Sequence, residues 1–242
     1  MTSDGTLHQH RAVWDDKPVL RLLYRDFYRR LAGACVPGLT LEVGGGTGRL
    51  REYLPQVVSS DIQWAPWLDV VADAQSLPFA DASFDNIVLM DVLHHIERPM
   101  AFLAEASRVL RPGGRLVVLE PGITALSFPF YRWLHQEDVR MGVDPFDGAP
   151  VCDGGNPYDS NQAIPTLMLA RSGDRLQRSF PRLSLRSLEW LSLFAYPLSG
   201  GFKRWSLIPA ALVAPLLWLE DRLAPLIGRF AAFRLLAVLE KT

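Results

Sequence analysis

An α/β fold, with a mostly parallel sheet covered by helices on both faces, is predicted from three observations. Strand-like apolar runs alternate with helical stretches between Leu39 and Glu120. One of them, Phe84 to Asp91, is almost wholly apolar, as a strand covered on both sides must be. A turn of three consecutive glycines and a fourth two positions on (Gly44, Gly45, Gly46, Gly48) follows the first strand. In such sheets ligands collect at the carboxyl ends of the strands.

The elements follow in order. Up to Pro37, Trp14, Leu20, Leu23, Phe27, Tyr28 and Leu31 recur at helical spacing, which predicts amphipathic helices ahead of the sheet. Leu39, Leu41 and Val43 alternate with Thr40 and Glu42 as a short strand. Glycines at its end let the backbone bend tightly and approach a ligand with no Cβ in the way. Leu50 and Leu54 then sit at helical spacing until Pro55, so the amides opening a helix are expected to face that ligand. Val57 to Asp61 is a second strand ending in an acid, and two carboxylate oxygens suit a ribose diol. Leu68 to Ala74 reads as a third strand, Phe84 to Asp91 as a fourth, and Pro99 to Leu110 as a helix. Arg111-Pro112-Gly113-Gly114 turns into a fifth strand, Arg115 to Glu120.

The glycine spacing separates two nucleotide folds. A dinucleotide fingerprint needs its third glycine three positions after the second, and Arg49 stands there. The run is instead Glu42-x-Gly44-x-Gly46-x-Gly48. With Asp73-Ala74, Leu77-Pro78-Phe79, Ser83-Phe84-Asp85, Val92-Leu93-His94-His95 and Arg108 to Gly114, it resembles the class I S-adenosylmethionine-dependent methyltransferases, in the branch of quinone and small-molecule enzymes. The resemblance covers Leu39 to Pro121. It implies a Rossmann-like seven-stranded sheet whose last strand, Phe233 to Leu239, is antiparallel and inserted between the fifth and the sixth. The sixth would lie within Leu183 to Tyr196. It also implies S-adenosylmethionine as cofactor, with Gly44, Gly46 and Gly48 at its methionine part and Glu42 near the loop. Asp61 would take the ribose, Asp73 the adenine amino group with Ala74 beside it, and Asp91 would lie near the methionyl end. One departure is that the helix usually found between strands two and three is nearly absent.

Methyl transfer from a sulfonium is an in-line displacement, so alignment matters most, and a base is needed only for a protonated acceptor. His94 and His95 follow the fourth strand and His135 follows the fifth, so all three are candidate bases. The segment after Glu120 is aromatic (Phe128, Phe130, Tyr131, Trp133). The loop Val143 to Pro157 leads into a predicted helix capped by Asn156 or Asp159. Near the end, Leu207 to Leu219 and Leu223 to Phe233 are apolar, and Pro209, Pro215 and Pro225 predict short broken helices. Burial on the sheet is the default for them. A lid or dimer surface and an interfacial membrane anchor are the other readings.

At 242 residues the chain is read as one methyltransferase domain. Within it lie a helical cap (1–37), a cofactor core (38–121), a substrate-side loop and helix (122–182) and an apolar insertion (200–232). A net charge of −1 argues against nucleic acid as partner. Cys35 and Cys152 are too few and too isolated for a disulfide framework or a metal site, and no metal is expected. The amino end lacks the apolar core of a secretory signal, so the cytoplasm is the expected compartment, with peripheral membrane contact left open. The expected activity is transfer of a methyl group to a small apolar, aromatic or lipid-like acceptor. The rival is a catalytically inactive cofactor-binding protein serving as a regulatory or partner subunit. Sequence leaves the oligomeric state open.

Overall fold

The computed structural model describes residues 4–153 and 155–242. The first three residues of the cap and Gly154 of the long loop lie outside the described residues. Seven strands form one sheet: β1 (Thr40–Val43), β2 (Val57–Asp61), β3 (Val70–Val71), β4 (Phe84–Met90), β5 (Leu110–Pro121), β6 (Leu183–Leu191) and β7 (Arg234–Lys241). Their spatial order is β3-β2-β1-β4-β5-β7-β6. β1 to β5 pair in parallel, while β7 runs antiparallel between β5 and β6. This is the topology expected, down to the inserted last strand.

Helices α1 (Asp4–Asp16) and α2 (Pro18–Ala34) precede the sheet. α2 buries Leu20, Leu23, Phe27 and Leu31 against one face, where Val88, Val117, Leu119 and Leu236 meet them. The other face packs Ile87, Leu89, Leu116 and Val118 beneath α3 (Pro99–Val109). β5 starts earlier than expected: Leu110 already pairs with Phe84, and the turn around Gly113 bulges out before Arg115 joins Asn86. Two shorter helices, α4 (Ser127–Trp133) and α5 (Gly173–Ser179), follow β5, and α6 (Ala195–Ser199) follows β6.

Four expectations need correction. The third strand shrinks from Leu68–Ala74 to two residues; just before it the Asp69 carboxylate accepts the Ser59 amide at 2.8 Å, taking the place of a backbone carbonyl in the pairing. Leu50 to Leu54 makes only a 3₁₀ turn, Leu50–Glu52, because Pro55 stops the chain before a helix can propagate. The helix expected from Asn156 is an irregular loop. There the Asn156 carbonyl oxygen of the side chain accepts the Tyr158 amide, and the Asp159 carboxylate accepts the Asn156 amide, both in competition with helix. The first helical turn after it is a π-helical one, Thr166–Arg171.

The broken helices are the fourth correction. Beyond a 3₁₀ turn at Ala210–Leu212, one continuous helix, α7, runs from Val213 to Ala231. Pro215 falls in its first turn, where an amide needs no partner, and Pro225 sits on the outer side. Val213, Glu220 and Gly228 face inward, and a Cβ on Gly228 would come within 2.7 Å of Trp190 on β6. Glu220 accepts the Phe194 and Ala195 amides, which pins the helix. The default of burial fails for the outer face, where Trp218 (57 %), Leu226 (73 %) and Phe230 (54 %) are exposed. Among the described residues, no helix is long and apolar enough to cross a membrane.

Candidate active site

The glycine loop leaves β1 with Gly44, Gly46 and Gly48 all in left-handed conformation (φ +69°, +48° and +70°). A Cβ on Gly44 would run into Val92, whereas one on Gly46 would meet only the Gly44 carbonyl at 3.8 Å, so the loop is open on the Gly46 side. Asp61, at the end of β2, accepts the Gly46 amide at 3.0 Å through one oxygen and the Gln63 amide at 2.9 Å through the other. The Ile62 amide also reaches this carboxylate, so of its roughly four acceptor positions one stays open. Burial pushes the Asp61 carboxyl above its usual range, and the backbone amides oppose that shift. Glu42 lies behind the loop, where its carboxylate accepts the Ser59 hydroxyl. Burial pushes its carboxyl up to about 7, against the Ser59 bond. Trp67 closes the loop from outside, its indole donating to the Gly46 carbonyl at 2.8 Å, with Arg11 and His8 of α1 against its ring.

Asp73 is exposed and Ala74 buried on the loop after β3, where Asp73 accepts the Gln75 amide at 2.8 Å. The loop, Asp61 and Asp73 thus line the ends of three adjacent strands. They suit a ligand with a diol and a flat donor group. S-adenosylmethionine, which the sequence resemblance implies, has both, and an open glycine turn beside an acid with an open acceptor position fits it.

The second half of the site is built on β4, β5 and β7. Glu120, fully buried at the end of β5, accepts the amides of Val92 and Leu93 at 2.7 Å each through one oxygen. Its other oxygen meets His94 Nδ1 at 2.5 Å. The turn Leu93–His95 is therefore fixed from beneath by one carboxylate. On its far nitrogen, His94 Nε2 lies 3.2 Å from Glu137. Burial alone would favour neutral imidazole, yet the two flanking carboxylates push His94 up to about 10. His95 stands in half-buried contact with His94, ring centroids 4.1 Å apart, and its Nδ1 lies 3.2 Å from the Asp159 carbonyl. Burial and the neighbouring His94 push it down to about 4.

His135 packs edge-on to Tyr131 and lies beside Glu137, whose carboxylate also receives the Gln162 side-chain amide. Burial lowers the His135 pKa, and Glu137 opposes that shift. The structure thus gathers His94, His95 and His135 around one acid, Glu137. Sequence reading passed over that acid because it stands in a polar run (His135 to Asp138) in a non-repeating segment.

Asp91 takes a left-handed φ of +60° after β4 and pairs with Arg234 of β7 at 2.6 Å. Arg234 is completely buried, ringed by Tyr196 at 4.9 Å and Phe27 at 5.3 Å. Its Nε and Nη1 have no hydrogen-bonding partner among the described residues. It was also missed, although an arginine inside the apolar run Phe233 to Leu239 is a visible signal. Tyr24 places its hydroxyl 3.4 Å from Asp91, and Tyr28 bonds Thr47 of the glycine loop. Both tyrosines are buried in the cap packing, with only their polar tips toward the site.

The family described as "Methyltransferase domain", type 11, matches residues 41–118. The ubiquinone/menaquinone biosynthesis C-methyltransferase UbiE of Paracoccus denitrificans is 40 % identical over 89 residues, 37 % of this chain and 34 % of that protein. Demethylmenaquinone methyltransferase of Renibacterium salmoninarum is 39 % identical over 38 % of this chain and 47 % of its own length. The chain therefore spans between a third and a half of these relatives. In structure, the 1,6-didemethyltoxoflavin-N1-methyltransferase of Burkholderia thailandensis, solved with S-adenosylhomocysteine, superposes with a TM-score of 0.52 at 14 % identity, over 98 % of this chain and 84 % of its own. The [4+2]-cyclase SpnF gives 0.50 at 17 % identity, over 89 % and 80 %. At such identities the likeness concerns the fold. Residues 41–118 carry the domain of the class I S-adenosylmethionine-dependent methyltransferases, in their type 11 branch.

Proposed function

We propose that the whole chain is one methyltransferase unit that binds S-adenosylmethionine along the ends of β1, β2 and β3. It passes the methyl group to a small aromatic or lipid-like acceptor seated over β4 and β5. The observation that carries this reading is the open left-handed glycine loop facing Asp61, with a polar, largely buried cluster directly beyond it. The relatives' names make reduced quinone precursors the first acceptor class to test. In this reading the Gly44, Gly46 and Gly48 backbone holds the methionine part and Glu42 supports the loop. Asp61 holds the ribose, Asp73 and Ala74 border the adenine, and Asp91 lies near the methionyl end.

The cofactor supplies an electrophilic methyl group. What this chain adds is alignment and control of a proton. His95 is half-buried and held unprotonated near neutrality, so its Nε2 can accept the proton of an acceptor phenol or enol. His94, fixed between Glu120 and Glu137, positions His95 rather than touching the acceptor. His135, just past the end of α4, borders the same space and is the alternative base. Arg234 and the tyrosines around it form the floor.

The apolar outer surface suggests how a lipid-like acceptor arrives. On α7, Trp218, Leu219, Leu226 and Phe230 share a face with Arg222 and Arg229, whose guanidinium groups lie over Trp218 and Phe230. α4 adjoins it: the Leu126 amide donates to the Phe230 carbonyl at 3.0 Å, and Trp133 and Leu134 are exposed. An apolar face edged by arginines suits the surface of an anionic bilayer, and α4 leads from it directly to His135 and Glu137. Peripheral membrane contact is therefore part of the proposal.

The test is transfer of labelled methyl from S-adenosylmethionine to a panel of demethylated quinols, phenols and lipid-like enols. Turnover that falls at least about tenfold in His95→Ala, with cofactor affinity unchanged, supports the assignment. Tight cofactor binding with no transfer to any acceptor class would favour the inactive binding protein instead.

A further inference from the structure

Two adjacent histidines hold their rings in the same way. His94 Nδ1 meets the Glu120 carboxylate at 2.5 Å, and Glu120 is held ionised by that histidine and two backbone amides. His95 Nδ1 lies 3.2 Å from the Asp159 carbonyl, which can only accept. Both rings are thus oriented through Nδ1 toward an acceptor, one a carboxylate and one a backbone oxygen. Those are the two groups that ordinarily orient metal-ligating histidines from behind.

The third group is Glu137. His94, His95 and Glu137 each bring one donor atom to a common place, all within 4.8 Å of one another. His94 Nε2 and Glu137 Oε2 are 3.2 Å apart. Bonds of roughly 2.0–2.1 Å at a tetrahedral angle put neighbouring ligand atoms about 3.4 Å apart, so this edge is already near its bound length. His95 and Glu137 are half-buried, so the place can be reached from solvent. A further polar atom, Gln162 Oε1, is buried without a hydrogen-bonding partner, while the nitrogen of the same amide donates to Glu137.

We propose that His94, His95 and Glu137 bind one divalent first-row cation, Zn²⁺ by donor type, as two imidazoles and a carboxylate with an open fourth position. That donor set belongs to open zinc sites that admit a further ligand. Glu120 and the Asp159 carbonyl act as positioning groups behind the histidines. Where the methyl-transfer reading also holds, the open position would take an acceptor oxygen as phenolate, and its proton would pass to His135, the alternative base, because His95 Nε2 would then be engaged as a ligand. Such a site runs against the sequence-based expectation of no metal, which rested on cysteines alone.

The experiment is calorimetric titration of ZnCl₂ into chelator-treated full-length protein, with no methyl donor or acceptor present. One equivalent should bind with micromolar or tighter affinity. His95→Ala and Glu137→Gln should weaken binding at least tenfold, and Glu120→Gln by ten- to a hundredfold. Asp174→Asn, exposed on α5, should bind as the wild type does. Circular dichroism establishes that each variant is folded. Should a ligand variant not fold, the visible spectrum of Co²⁺ on the wild type decides. Intense bands of a four- or five-coordinate ion support the site, and a weak octahedral spectrum overturns it. Absence of stoichiometric binding by the folded wild type, or unchanged binding in folded ligand variants, also overturns it. His94 would then be an imidazolium held between two carboxylates. Methyl-donor binding is measured separately, so either reading can fail alone.

Discussion

The two halves of the site anchor their charges by different means. Beside β1 and β2, Asp61 is held by the amides of Gly46 and Gln63, groups from its own strand end and the adjoining loop. Beside β4, β5 and β7, charges are held mainly by other side chains: Asp91 by Arg234, and His94 by Glu120 and Glu137, with the Val92 and Leu93 amides adding to Glu120. Backbone anchoring depends on local spacing and tolerates change elsewhere. Side-chain anchoring couples distant segments, so removing one member leaves another buried charge without its partner. The comparison also separates rigidity from adaptability, since the second half draws its charged partner Glu137 from the non-repeating loop at 135–162, which meets the first half through Tyr158 and the Gln63 side chain.

The largest effect should come from breaking that coupling. Arg234→Met leaves the partly exposed Asp91 without its ion pair and should cost about 3 kcal/mol of stability in chemical denaturation, the lower end for a buried pair. Adding Asp91→Asn should return a substantial part of the loss. A loss below about 1 kcal/mol, in the range of exposed pairs, would erase the distinction between the two halves.

A smaller, pH-dependent effect belongs to the first half. Burial raises Glu42 from the usual 4.5 to about 7 in the folded chain, so the native state keeps a proton that the unfolded chain gives up. Its contribution is full below the unfolded value and is lost as pH rises through the folded one. Wild-type stability should therefore fall by up to about 3 kcal/mol between pH 4.5 and 7 on this account. Glu42→Gln keeps a partner for the Ser59 hydroxyl and should flatten that slope. An equal slope in both proteins would remove Glu42 from the account.

The smallest effect on stability tests the outer surface. Trp218→Ala with Phe230→Ala should change unfolding free energy by no more than about 0.5 kcal/mol per site, because both side chains are exposed. The same variant should lose most sedimentation with anionic vesicles. Equal vesicle binding by both proteins would mean that α7 is not the contact.

How far sequence reaches follows the same division. The glycine loop, Asp61 and the strand order as far as β5 were legible because each depends on residues within a few positions or on a repeating period. Arg234 and Glu137 were not, since their roles come from partners more than a hundred and more than forty positions away. The continuous α7 was obscured because prolines were read as breaks, although one falls in a first turn and the other on an outer face. Its exposure was also hidden, since an apolar helix facing solvent carries the same residues as one facing the core.

The central claim is that the open glycine loop with Asp61 is a working cofactor site. It is tested most directly by calorimetric titration of S-adenosylmethionine and S-adenosylhomocysteine into the wild type and Asp61→Ala. The account predicts micromolar binding of both ligands to the wild type. It predicts a loss of about a hundredfold or more in the variant, close to 3 kcal/mol, for removal of a charged hydrogen-bonding partner. No binding by the folded wild type, or equal binding by the two proteins, would contradict it.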